Sequence, residues 1–148
     1  MRYFEDMLVG EIRQFGTYRV TREEVIDFAS RYDPQPFHLS DEEAAKTHFG
    51  KLAASGWHTC AMTMAMMVAH FHDERQAGLG SPGVDELRFL KPVYPGDVLR
   101  CESELLEKRL SRSRPDMGSM RTRIRTFNQH DEQVLGFIGI SLIRARNA

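Results

Sequence analysis

Asp33 and His38 stand five residues apart in the run Tyr32-Asp33-Pro34-Gln35-Pro36-Phe37-His38. A carboxyl group and an imidazole are the side chains that proton transfer at neutral pH draws on most. Each proline disfavours helical backbone at the residue before it, so Asp33 and Gln35 are expected to be extended. The proline rings fix two φ angles, and the loop then holds its side chains with little further loss of entropy. Spacing alone leaves a second reading open, an ordinary turn after a helix in which Asp33 caps and His38 packs.

The elements around this loop must position it. From Ser55 the chain reads Ser-Gly-Trp-His-Thr-Cys-Ala-Met-Thr-Met-Ala-Met-Met-Val-Ala. Ser55 has the side chain of an N-cap, and Gly56 opens a helix that is apolar on nearly every face as far as Ala69. A helix apolar all round is buried in protein or in lipid. A bilayer needs about 20 apolar residues, and this run is shorter and broken by Thr59, Thr63 and two histidines. It is therefore a core helix. Its first turn carries N–H groups without an intrahelical acceptor and a partial positive charge, which suits a developing oxyanion. Gly56 lets a ligand carbonyl approach that backbone closely.

Around these two segments the pattern predicts a strand over 11–20. At its end Thr21, with Glu24 three residues on, gives the capping-box signature for a helix from Arg22 to Tyr32. Val25, Phe28 and Ala29 share one face of that helix. A short helix runs from 40 or 41 to 46, and the core helix spans 56–72. Gly78, Gly80, Pro82 and Gly83 read as a break, with a short strand near 86–90. Three long strands follow. In the first, Leu99, Cys101, Ser103 and Leu105 face one way. In the second, Arg121, Arg123 and Arg125 alternate with Thr122, Ile124 and Thr126. The last, over 134–143, is apolar on both faces and is expected in the covered centre of the sheet. Consecutive strands around one buried helix indicate an α+β fold.

The 148 residues form a single domain, 1–148, long enough for a substantial core. Hydrophobic residues at 41% and charged residues at 28% exclude a disordered chain. The net charge of −1 argues against a dedicated binder of nucleic acid or anionic membranes. Cys60 and Cys101 have neither metal-ligand spacing nor a disulfide framework. The segment 1–6 mixes charged and aromatic residues and has no secretory apolar region, so a cytoplasmic setting is the default. His70 and His72, two apart on a helix, point to opposite sides and do not make a metal pair. Met62, Met64, Met66 and Met67 read as core filler. His58 reads as a packing histidine or as a pocket residue. Asp97, after Gly96, reads as turn chemistry.

The motif Asp33-Pro34-Gln35-Pro36-Phe37-His38, followed by Ser55-Gly56 at a helix start, resembles that of the MaoC-like (R)-specific enoyl-CoA hydratase and dehydratase family. The family motif is Asp-x-Asn-Pro-x-His, then a glycine opening a long helix. The run Arg88-Phe89-Leu90-Lys91-Pro92-Val93-Tyr94-Pro95-Gly96-Asp97 looks like the strand and turn after that helix. Gln35 stands where the family has Asn, and Arg31-Tyr32 replace the usual small residues before the Asp. The resemblance implies a hot dog fold, an antiparallel sheet wrapped around a long helix. It also implies a hydratase that acts on a 2-enoyl thioester of coenzyme A or acyl-carrier protein, giving an (R)-3-hydroxyacyl thioester, or the reverse.

In that reading His38 deprotonates water, and Asp33, its pKa raised by partial desolvation, exchanges the second proton. The Gly56 N–H holds the oxyanion, and Tyr32, Gln35, Phe37, Ser55 and His58 line or orient the pocket. No metal or redox cofactor is required. A subset of the methionines is an alternative lining for an acyl tunnel. Lys108, Arg109, Arg112 and Arg114 near Pro115 read as a solvated hairpin tip, with coenzyme A phosphates as the alternative partner. A non-catalytic acyl-thioester binding module is the alternative function. A hot dog thioesterase, or a dehydratase acting on acyl-carrier protein, would carry its carboxylate on the core helix, which has no Asp or Glu over 56–72. One small sheet covers one side of an all-apolar helix, so a homodimer is expected, with the pocket near its interface.

Overall fold

The structure, a computed structural model, describes residues 1–146. Its elements are β1 (Ile12–Arg19), α1 (Arg22–Tyr32), α2 (Asp41–Ala44), α3 (Gly56–Asp73), β2 (Gly78–Phe89), β3 (Val98–Leu110), β4 (Met117–Phe127) and β5 (Gln133–Arg144). The five strands make one antiparallel sheet in the order β1-β3-β4-β5-β2, and α3 is the long helix it wraps. This is the α+β hot dog architecture.

Alternation along the strands places the core. Leu99 and Cys101 of β3, Ile124 of β4 and Phe137 of β5 pack in one buried cluster with Met62, Met66 and Met67 of α3. A buried hydroxyl pair between helix and sheet, Thr63 with Thr126, is mutually satisfied at 2.8 Å. Arg121 and Arg125 leave by the outer face, where they meet Asp85 (2.8 Å) and Glu102 (3.1 Å).

Gly16 shows how closely α3 approaches β1. Its φ is +83°, and a Cβ there would stand 2.8 Å from Met66 Sδ. The register of β1 against β3 shifts between Phe15 and Tyr18, a bulge that re-aims Tyr18.

Four expectations are corrected. The glycines and Pro82 do not break the chain: Gly78–Phe89 is one strand, twelve residues long. It lies at the sheet edge, pairs only with β5 and shifts register three times, and an edge tolerates a proline without an N–H. The last strand, β5, is interior, but β4 holds the centre, because β2 returns to cover the far side of β5. Met64 is exposed while the other three methionines are core. Lys108 is not at a free hairpin tip: its Nζ donates to the Phe4 carbonyl at 2.9 Å and lies over that ring.

Candidate active site

Asp33 is the C-cap of α1, its N–H donating to the Ala29 carbonyl at 2.9 Å. Pro36 then opens a single 3₁₀ turn, Pro36–His38. Proline fits a first helical position, where no N–H is needed. The turn carries His38 inward until it is 5% exposed. The prolines thus bring Asp33 and His38 back to one point, with Asp33 Oδ2 3.6 Å from His38 Nε2.

His38 Nδ1 lies 2.6 Å from the Ala53 carbonyl, which can only accept. Nδ1 therefore carries a proton, and Nε2 is the ring nitrogen directed at Asp33. Phe37 meets the imidazole edge-on at 4.6 Å, and Phe49 flanks both rings. Tyr94 fixes the Phe49 segment through its hydroxyl, 2.8 Å from the Phe49 carbonyl.

Both oxygens of Asp33 accept hydrogen bonds. Gln35 Nε2 donates to Oδ1 and Ser55 Oγ to Oδ2, each at 2.7 Å. Ser55 is fully buried and caps α3, accepting from the Trp57 N–H at 3.2 Å. One hydroxyl thus ties the carboxylate to the first turn of α3. Burial pushes the Asp33 carboxyl up, but the bonds from Ser55 and Gln35 and the adjacent His38 ring favour the charged form and leave it below its ordinary value. The expected rise in its pKa is thereby corrected: Asp33 is a carboxylate at neutral pH.

Gly56 opens α3 with an N–H that has no intrahelical acceptor. A Cβ there would stand 2.7 Å from the Phe89 ring, so packing requires the glycine independently of any ligand. Phe89 in turn meets Trp57 edge-on.

Asp33, Gln35, Phe37, His38, Ser55 and Gly56 therefore come together. Tyr32 and His58 do not join them. Tyr32 is 70% exposed, and His58 is buried between α1 and α3, stacked on Phe28 at 4.7 Å. Both line a separate cleft of about 330 Å³ together with Tyr18 and Glu24. Glu24 does not close the capping box: Thr21 accepts its N–H, but its carboxylate turns to the Tyr18 hydroxyl. Sequence reasoning missed Ala53, whose part is played by a backbone carbonyl, and Phe49, which has no fixed spacing to the motif. It also missed Tyr18, whose direction depends on the Gly16 bulge.

The family model described as MaoC like domain matches residues 7–125. The crystal structure of a MaoC-like dehydratase from Rhodospirillum rubrum is 35% identical with a TM-score of 0.87, covering 100% of both chains. The Bacillus subtilis (strain 168) uncharacterized protein YdeM is 28% identical over 132 residues, 88% of this chain and 90% of that one. A 3-hydroxybutyryl-CoA dehydratase of Methylorubrum extorquens is 32% identical over 107 residues, 71% of this chain and 64% of that protein. With a paired carboxylate and imidazole beside a glycine-opened helix, and with this match over most of its length, the chain belongs to the MaoC-like domain family.

Proposed function

We propose that the protein is a hydro-lyase that adds water to a 2-enoyl thioester, or removes it from the (R)-3-hydroxyacyl thioester. The observation that carries this reading is the 3.6 Å separation of a carboxylate and an imidazole nitrogen beside the first turn of α3. A water oxygen about 2.8 Å from both atoms fits that spacing. His38 Nε2 takes one proton as the water oxygen bonds to Cβ, and the adjacent carboxylate stabilises the imidazolium. The electrons of the double bond move to the thioester oxygen, which the Gly56 N–H and the dipole of α3 stabilise. The same proton then passes to Cα, and the product differs from the substrate by one water. Asp33 acts as a carboxylate throughout.

The 3-hydroxybutyryl-CoA dehydratase supports a coenzyme A thioester with a short acyl chain. Two free thiols, Cys60 and Cys101, suit a reducing compartment, and we assign the protein to the cytoplasm.

The functional unit is a homodimer. One face of α3 is uncovered and apolar: Trp57 is 58%, Met64 45% and Val68 43% exposed. Met64 and Val68 border a groove of about 730 Å³ that reaches Val84 on β2, whose outer edge is unpaired in the single chain. A second copy covers the stripe and the open edge together.

Because His38 takes the proton from water and returns it to Cα, water and proton add to one face. A 2-enoyl-CoA hydrated in deuterium oxide is expected to give the syn product of (R) configuration, read from proton couplings and a chiral column. An anti product would require a second proton donor on the opposite face and rule out return of the proton by His38.

A further inference from the structure

His58 is 5% exposed, yet neither of its ring nitrogens makes a direct hydrogen bond among the described residues. Nδ1 has no partner, and Nε2 stops 3.9 Å from Glu24 Oε2, beyond hydrogen-bond distance. With no hydrogen bond to orient it, the ring acts on its neighbours through stacking and close contact. Its contacts run outward across two elements. The ring stacks on Phe28 with an interplanar angle of 9°. Phe28 meets Tyr32 at 5.1 Å, and Glu24 accepts the Tyr18 hydroxyl of β1 at 2.7 Å. Residues 24, 28 and 32 recur every four positions, one face of α1 that ends beside Asp33.

The start of α1 is fixed independently. Thr21 follows β1 and caps the helix, and Val20 exchanges backbone hydrogen bonds with Gly96 and Asp97. With its start held, α1 is a lever of about 16 Å whose far end is Asp33. A tilt of about 4° moves that end by about 1 Å. Asp33 must still reach Ser55 Oγ at 2.7 Å and stay 3.6 Å from His38.

The geometry points to His58, with Glu24 and Tyr18, as a positioning clamp that sets where Asp33 stands against Ser55 and His38. This rests on the hydratase reading for its effect on rate, but not for its effect on Asp33 itself. Burial keeps the His58 ring below its ordinary pKa, opposed only by Glu24, so the clamp is assembled around a neutral imidazole. The charged and titratable groups that share its cleft are Tyr18 of β1 and Glu24, Asp27, Arg31 and Tyr32 of α1, with Asp27 and Arg31 paired to each other.

The test is the carboxyl ¹³C titration of Asp33 by NMR, with steady-state kinetics on crotonyl-CoA, in wild type, His58→Ala, His58→Phe and Glu24→Ala. Loss of the ring loosens the Ser55 bond, so His58→Ala is expected to raise the Asp33 midpoint by about half a unit or more. Its kcat falls about tenfold to a hundredfold while KM stays within about threefold. His58→Phe restores the stack and most of both quantities. If His58→Ala does not fold, Glu24→Ala, at a half-exposed position, gives the same direction with a smaller shift. An Asp33 midpoint unchanged in every folded variant overturns the clamp. A wild type that does not turn over crotonyl-CoA overturns the reaction instead, and the titration still decides the clamp.

Discussion

At Asp33 two hydrogen bonds and a neighbouring imidazole outweigh burial, and the carboxyl stays ionised. Removing the Ser55 hydroxyl in Ser55→Ala strips one of those bonds and the cap of α3. The Asp33 pKa is expected to rise, measured as an upward move of its carboxyl ¹³C titration midpoint, with a stability loss of about 0.5–2 kcal/mol in urea denaturation. The native Asp33 pKa is lowered, so its contribution to stability is present above the ordinary value of 3.8 and is lost as pH falls through the lower folded value. Asp33→Asn and His38→Ala are each expected to lower kcat by about 10²–10⁴-fold, with thioester affinity within about tenfold by calorimetry. These two residues were legible because a six-residue motif contains both. The direction of the Asp33 shift was not, because Ser55 lies 22 positions away and its hydroxyl reaches the carboxylate only once α3 is docked.

α3 was legible because its composition is apolar at every turn and its start carries a cap and a glycine. β2 was not, since the glycines and Pro82 that signal a break are tolerated on an edge strand whose partner, β5, lies more than forty positions on. At the helix start, Gly56→Ala puts a methyl group 2.7 Å from the Phe89 ring. Overpacking of this kind is expected to cost about 1–3 kcal/mol, read as a lower urea midpoint, whether or not the oxyanion role holds. Further along α3, burial pushes His58 and His70 below their ordinary value of 6.5, against the pull of nearby carboxylates. A histidine whose folded pKa is depressed contributes stability above its unfolded pKa and loses it as pH falls. The melting temperature is therefore expected to fall as the pH drops below about 6.5, and less steeply in His58→Phe.

For the whole molecule, the uncovered stripe on α3 and the open edge of β2 lie on either side of one groove. The all-apolar character of α3 made this incompleteness legible before the fold was known, whereas the strand bordering the groove needed the sheet order. Met64→Glu with Val68→Glu is expected to shift the solution mass by light scattering from twice the chain mass to one. A wild-type chain that is monomeric at micromolar concentration would contradict the homodimer. The central claim is that this site hydrates rather than only binds a thioester, and crotonyl-CoA tests it most directly. On addition of wild-type protein, the absorbance of the conjugated double bond is expected to fall with catalytic turnover, and Asp33→Asn to leave it nearly unchanged. Saturable binding of crotonyl-CoA with no loss of that absorbance would contradict the account and leave a thioester-binding module in its place.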